Sequence, residues 1–317
     1  MDWTKVAFIF PGQGSQEVGM GKSVADAYPV AMDTFKEADD ILETNFSGLI
    51  FDGPLDELND TYNTQASLFV TSVATLRALQ QEMPEAVSAF AAGHSLGEFT
   101  ALVAAGSISY PEGLRLVRER GRLMKLAGET NPGGMGAFLG LSVEKAQEIC
   151  EQAGKAADED LVIANDNCPG QVVISGGANA VEKALELGKE AGAKRALKLA
   201  LSVAAHSPLM ESAAETFKGE LAKVEFKAPA FPVYGNVSAA PLNTPDEIVT
   251  ELESQVVAAV RWTESVQAMI ADGARTFVEI GVGEVLSGLV KRIDRSTNRI
   301  TVKDAQSLQA LLQLEVN

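Results

Sequence analysis

The chain has 317 residues, 46% of them hydrophobic and 22% charged, proportions that exclude a disordered chain, a collagen-like repeat and a low-complexity protein. Its 26 Lys and Arg against 43 Asp and Glu leave a net charge of −17, and so acidic a surface disfavours nucleic-acid binding. Cys150 and Cys168 are too few for a disulfide framework and lack metal-ligand spacing, and no run approaches the roughly 18 apolar residues of a membrane span, so a cytoplasmic protein with no metal is expected.

Apolar, strand-length runs alternate with helical patterns, which predicts an α/β protein with a largely parallel sheet. Val6–Phe10 reads as a buried first strand, ended at once by Pro11 and Gly12. Residues 64–82 carry Leu68, Val70, Val73, Leu76 and Leu79 at helical spacing, and Pro84 then stops the helix. A strand over 87–92, a break at Gly93 and a helix from Leu96 to Ala105 follow. Pro111 opens an amphipathic helix through Leu126, ended by the Gly and Pro cluster at Gly128–Gly136.

The middle of the chain changes rhythm. A strand over Ala137–Leu141, a helix from Ser142 to Ala153, strands over Leu161–Asn165 and Gln171–Ser175, a helix over Ala178–Ala191 and a strand over Arg195–Leu199 are expected. That βαββαβ order is the ferredoxin-like pattern. It reads as a subdomain, residues 131–201, inserted into a larger α/β domain made of residues 1–130 and 202–317.

The sharpest local feature is Gly93-His94-Ser95-Leu96-Gly97, a G-x-S-x-G between a predicted strand and a predicted helix. A serine at the tip of so tight a turn has a strained backbone, and the chain passes close to itself on both sides, where a Cβ would not fit. Serine needs a base within hydrogen-bond reach to act as a nucleophile, most often histidine. The chain has two histidines. His94 adjoins Ser95, and its side chain should point away, which leaves His206 in a small-residue segment far down the chain. Gly19-Met20-Gly21-Lys22-Ser23 imitates the end of a phosphate-binding loop but has Gln16 where the motif needs glycine. Gly12-Gln13-Gly14 and Gly281-Val282-Gly283 lack the third glycine of a dinucleotide fingerprint. Asp272-Gly273-Ala274 is the competing base, because a G-x-S-x-G serine with such an aspartate is the dyad of patatin-like hydrolases.

Several motifs together resemble the malonyl-CoA:acyl carrier protein transacylases and the acyltransferase domains of polyketide synthases. They are Phe10-Pro11-Gly12-Gln13-Gly14-Ser15-Gln16, Gly93-His94-Ser95-Leu96-Gly97-Glu98, Arg118-Glu119-Arg120-Gly121, Gly134-Met135-Gly136-Ala137, Ser207-Pro208-Leu209-Met210 and Val278-Glu279-Ile280-Gly281. The resemblance implies a hydrolase-like parallel-sheet domain carrying the ferredoxin-like insertion. It implies ping-pong transfer of a malonyl group from malonyl-CoA to the phosphopantetheine thiol of acyl carrier protein, through Ser95 with His206 as base and acid. The main-chain N–H groups of Gln13 and Leu96 would form the oxyanion hole, the carbonyl of Gln255 would orient His206, and Arg120 would grip the malonyl carboxylate. No cofactor is expected beyond the malonyl-CoA substrate, and a monomer is expected.

The chain departs from the family pattern at Val282 and at Ala258-Ala259 ahead of Val260-Arg261-Trp262-Thr263. Ala205, ahead of His206, matches neither the phenylalanine that accompanies malonyl nor the serine that accompanies methylmalonyl extender units. Helix periodicity does not separate Arg120 from Arg115, Arg118 and Arg122. Two basic clusters, Lys194, Arg195 and Lys198, and Lys291, Arg292, Arg295 and Arg299, are candidate guides for the anionic carrier protein or CoA. The alternative function is a serine hydrolase, of esterase type or of patatin-like type using Ser95 with Asp272.

Overall fold

The computed structural model describes residues 1–201 and 203–316, so the domain boundary placed at residue 202 falls outside the described residues. Ten strands are described: β1 (Val6–Phe10), β2 (Phe90–Gly93), β3 (Gly133–Leu139), β4 (Leu161–Cys168), β5 (Gln171–Gly177), β6 (Arg195–Lys198), β7 (Val233–Tyr234), β8 (Pro241–Leu242), β9 (Thr276–Ile280) and β10 (Asn298–Val302). They form two sheets. The larger has the order β10-β9-β1-β2-β7-β8, parallel throughout except for the β7–β8 hairpin. The smaller, β4-β5-β3-β6, is antiparallel. The fold is therefore mixed α/β with a largely parallel main sheet, as the alternation of runs predicts.

β1 shows why its sequence has no polar residue. Successive side chains point to opposite faces, so Val6, Phe8 and Phe10 enter one core while Ala7 and Ile9 enter the other. Helix Thr61–Glu82 fills the first core, and helices Trp262–Ala271 and Val285–Ile293 cover the second. Helix Thr61–Glu82 is buried around most of its circumference, so polar residues such as Thr64, Gln65, Thr71 and Thr75 are inside the protein. Thr64 and Thr75 satisfy their hydroxyls on the carbonyls of Leu58 and Thr71. Gln65 is carried inward to the site described below.

The expected strand over Ala137–Leu141 is corrected to Gly133–Leu139, and the preceding helix runs over Tyr110–Thr130. Gly133, Gly134 and Gly136 belong to β3 rather than to a loop. They read as turn residues, but a Cβ on Gly133 would collide with Gly176 of the neighbouring strand and with Leu209, so close packing explains that glycine. β4 continues past Asn165 to Cys168, with register shifts against β5 that extend a strand expected to be shorter. The expected strand over 87–92 is confined to Phe90–Gly93.

The smaller sheet is tied to the segment that leads into helix Trp262–Ala271. Asp166 N donates to Val260 O at 2.9 Å and Val260 N donates to Ala164 O at 2.8 Å, a parallel bridge between β4 and the segment before helix Trp262–Ala271. Cys150 and Cys168 are both buried, and burial raises their thiol pKa values to about 12 and about 11, which leaves them unreactive near neutrality.

Candidate active site

The site lies at the carboxyl ends of β1 and β2, the edge of a parallel sheet where ligands ordinarily bind. β2 ends at Gly93 and helix Gly97–Ala104 begins four residues later. Ser95 at the tip has φ 50°, the left-handed region. A Cβ on Gly93 would overlap the main chain of Gly97, and one on Gly97 would overlap the carbonyl of Phe10. Both glycines are therefore steric requirements of the turn. Gly93→Ala is expected to prevent accumulation of folded protein or to lower Tm by several degrees; a wild-type thermal transition would contradict this account.

Ser95 Oγ lies 2.8 Å from His206 Nε2, although 111 residues separate them. The other ring nitrogen, Nδ1, lies 2.8 Å from Gln255 O and 3.0 Å from Ala258 O. Two carbonyls can only accept, so the proton sits on Nδ1 and Nε2 presents its lone pair to the serine hydroxyl. His206 is 3% exposed, and burial, reinforced by the charge of Arg120, lowers its pKa to about 3. The imidazole is thus neutral and able to accept a proton at any ordinary pH.

Arg120 meets the same hydroxyl from another direction. Its Nη2 donates to Ser95 Oγ at 3.2 Å and to Gln255 Oε1 at 3.0 Å, and its Nη1 donates to Gln65 Oε1 at 2.8 Å. The guanidinium is 1% exposed, its Nε has no partner, and burial lowers its pKa to about 10, so it stays charged. Among the described residues no carboxylate forms an ion pair with it, and a buried cation with only neutral partners is an unfilled anion site. The other three arginines lie away from the serine. Arg115 and Arg122 are exposed, Arg122 pairing with Glu119, while Arg118 lies over the Tyr62 ring and donates to Asn63.

Three residues that the sequence reading gave no part support this group. Asn236 Oδ1 accepts from Ser95 N at 2.6 Å, and its Nδ2 donates to Gly93 O at 2.7 Å, tying together the two flanks of the strained turn. Because Asn236 takes the Ser95 N–H, that donor is not free for an oxyanion. Gln65 fixes one end of the guanidinium. Glu98, fully buried, accepts from Gln255 Nε2 and Asn236 N. Gln13 and Leu96 line the cavity beside Ser95, and among the described residues neither main-chain N–H has an acceptor.

The cavity has a volume of about 70 Å³ and is walled by Met124, Met135, Asn165, Leu201, Val203 and Ala205 as well as by the polar group. A larger surface hollow of about 460 Å³, beside helix Pro245–Gln255, contains neither histidine nor arginine. His94 contacts Asn167 through Nε2 at 2.8 Å, and its ring lies 5.6 Å from that of Trp262, so it is turned from the serine hydroxyl. Asp272, the competing base, follows helix Trp262–Ala271 and accepts a hydrogen bond from the Tyr234 hydroxyl. It does not line the Ser95 cavity, which removes the residue on which the patatin-like alternative depends. Among the described residues no cluster of His, Cys, Asp and Glu could hold a metal ion.

A serine paired with histidine on a strand–turn–helix, beside a buried guanidinium, defines an acyl-transfer class of α/β enzyme. Residues 7–310 match the family described as the acyl transferase domain. The Bacillus subtilis malonyl CoA-acyl carrier protein transacylase is 44% identical over 313 residues, covering 98% of this chain and 97% of the relative. A Burkholderia pseudomallei acyl-carrier-protein S-malonyltransferase structure superposes with a TM-score of 0.94 at 43% identity, covering 98% and 99% of the two chains. A type II PKS acyl-carrier protein in complex with its malonyl-transacylase supplies a further match, with a TM-score of 0.94 at 41% identity over 98% of this chain and 99% of the other. The chain belongs to the malonyl CoA-acyl carrier protein transacylase family, as its motifs suggest.

Proposed function

We propose that this enzyme moves a malonyl group from malonyl-CoA to the phosphopantetheine thiol of an acyl carrier protein through a malonyl ester of Ser95. The observation that carries the reading is the buried guanidinium of Arg120, which has no ion-pair partner among the described residues and lies 3.2 Å from a serine hydroxyl that itself lies 2.8 Å from a neutral imidazole. Malonyl differs from simple acyl groups by its free carboxylate, and a guanidinium binds a carboxylate through two parallel charge-assisted bonds.

In the first half-reaction His206 Nε2 takes the Ser95 proton as Oγ attacks the thioester carbonyl. The Gln13 and Leu96 N–H groups receive the oxyanion. Collapse breaks the carbon–sulfur bond, and the CoA sulfur leaves with the proton held by His206. In the second half the carrier thiol gives its proton to Nε2, its sulfur attacks the ester, and Ser95 Oγ leaves with that proton. The carbonyls of Gln255 and Ala258 hold the imidazolium in each half, so no acidic third residue is required. The chemistry calls for no cofactor.

The strand order β4-β5-β3-β6 with its two helices supports a ferredoxin-like subdomain over 131–201, inserted into a hydrolase-like domain of residues 1–130 and 202–317. Carrier-protein binding is supported by the carrier complex of the structural neighbour. In the basic clusters Lys198 pairs with Glu182, which leaves the guiding role to Lys194, Arg195, Lys291, Arg292, Arg295 and Arg299. We place the enzyme in the cytoplasm as a monomer; no helix among the described residues is long and apolar enough to cross a membrane.

Intact-mass analysis after mixing with malonyl-, methylmalonyl- or acetyl-CoA tests the reading. Malonyl-CoA should add one malonyl group, on Ser95, and holo carrier protein should remove it as its own thioester. Asp272→Asn should leave that labelling rate within about twofold of wild type, as expected for a surface substitution away from the chemistry. Release of free malonate with no transfer, or loss of labelling in Asp272→Asn, would favour hydrolysis instead.

A further inference from the structure

The mechanism above gives no part to Glu98, the carboxyl side chain most closely built into the site. It lies in the first turn of helix Gly97–Ala104 and is fully buried. Its Oε2 accepts from Gln255 Nε2 at 2.8 Å and from Asn236 N at 3.2 Å, while Oε1 has no partner. Both donors belong to residues that hold the nucleophile, since Asn236 Oδ1 accepts from Ser95 N and Gln255 Nε2 donates to Ser95 O at 3.0 Å. Burial and the nearby Glu251 raise the pKa of the Glu98 carboxyl well above the usual carboxylate range. Such a group is costly to enclose, and an apolar side chain would fill the space without that cost.

What an apolar side chain would lack is an acceptor. A glutamine amide can lie in either of two orientations, and its neighbours decide which. Both amide hydrogens of Gln255 are taken, by Ser95 O and Glu98 Oε2, which turns Oε1 towards Arg120 Nη2 at 3.0 Å. Reversed, the amide would set N–H against guanidinium N–H and its oxygen against the Ser95 carbonyl, losing both of those bonds.

We propose that Glu98 is a positioning residue whose Oε2 fixes the Gln255 amide and so holds the Arg120 guanidinium against Ser95, tuning the enzyme for acyl groups that carry a carboxylate. The inference rests on the malonyl-transfer reading. It places the effect of Glu98 on the choice between acyl groups as well as on the rate. An acetyl group has no carboxylate to set against Arg120 and is less sensitive to its placement.

The test compares single-turnover acylation of Ser95 by malonyl-CoA and by acetyl-CoA, read by intact mass. Glu98→Ala is expected to slow malonyl acylation about tenfold to a hundredfold, the effect of losing an acceptor in a buried charged network, and to lower the malonyl-to-acetyl ratio by about fivefold or more. Glu98→Asp keeps a carboxyl but draws it back by one methylene, and should lower the ratio in the same direction even if the alanine variant does not fold. Glu98→Gln returns an acceptor oxygen to the same place and should recover most of both losses. A general loss of stability would slow both acyl groups alike and leave the ratio unchanged. An unchanged ratio in the alanine and aspartate variants, or a glutamine variant as impaired as the shortened ones, overturns the proposal. Failure of malonyl-CoA to label wild-type Ser95 would overturn the transfer reading and this proposal together, so the two failures are distinguishable.

Discussion

His206→Ala is expected to slow the acylation of Ser95 by about 10²- to 10⁴-fold, the usual contribution of a positioned general base. The hydroxyl would then have no base within reach: His94 is turned towards Asn167, and the other group on Ser95 Oγ is Arg120, a cation that can only donate. The loss should appear in both half-reactions, because the same nitrogen serves each. Quenched-flow intact-mass measurements would check it, and a decrease of less than tenfold would count against the proton route. Acid pH offers a second view of the same group. With its pKa lowered to about 3, His206 keeps its base form as pH falls through the ordinary histidine range, so acylation should stay nearly flat from pH 7 to 5. The sign for stability follows from linkage. The unfolded chain binds a proton on this histidine that the folded chain refuses, so stability is present above the ordinary histidine range and declines as pH falls towards about 3.

Arg120→Ala should have the other large effect. The malonyl carboxylate would form a buried charge pair with Arg120, and truncating one member of such a pair costs about 2–5 kcal/mol, so malonyl acylation should fall by roughly thirtyfold to a few thousandfold. Acetyl acylation should fall far less, and the preference between the two should collapse. Arg120→Lys retains the charge without the planar fork and should lie between them. The substitution carries a pH signature as well. The positive charge of Arg120 is the second cause of the low His206 pKa, so its removal lets that pKa rise and moves the acid fall-off of acylation to higher pH. Equal losses for malonyl and acetyl, with no movement of the acid limb, would show that the guanidinium has a general packing role.

The parts of this site legible in sequence were those with a local pattern or a scarcity behind them. Val6–Phe10 is apolar throughout because both faces are buried, and the turn at Ser95 announces itself through two glycines at fixed spacing. His206 was reachable because the chain has only one other histidine. Arg120 lies on the stripe of Leu116, Val117, Leu123, Met124 and Ala127 that helix Tyr110–Thr130 buries, a placement that four arginines in eight residues obscure in the sequence. Motif resemblance, not pattern, singled it out.

Gln65, Asn236 and the role of Glu98 were out of reach for a different reason. Each acts through a side-chain bond to a residue between 55 and 157 positions away, and amides carry no local signature of such pairing. Gly133 of β3 is hard to place from sequence because a glycine that admits a neighbouring strand looks there like one that makes a turn. Only the position of Gly176 and Leu209 distinguishes the two.

The bridge between Val260 and β4 bears on how such enzymes can be recombined. Val260 stands two residues after Ala258, whose carbonyl holds the imidazole, and its own peptide groups bond to Ala164 and Asp166 of the smaller sheet. The smaller sheet is therefore stitched to the mounting of the base, and exchanging it between relatives would not be a neutral transplant. A hybrid with an imported subdomain would inherit a foreign tether on its proton acceptor, and its rate could drift with every residue touching substrate left intact.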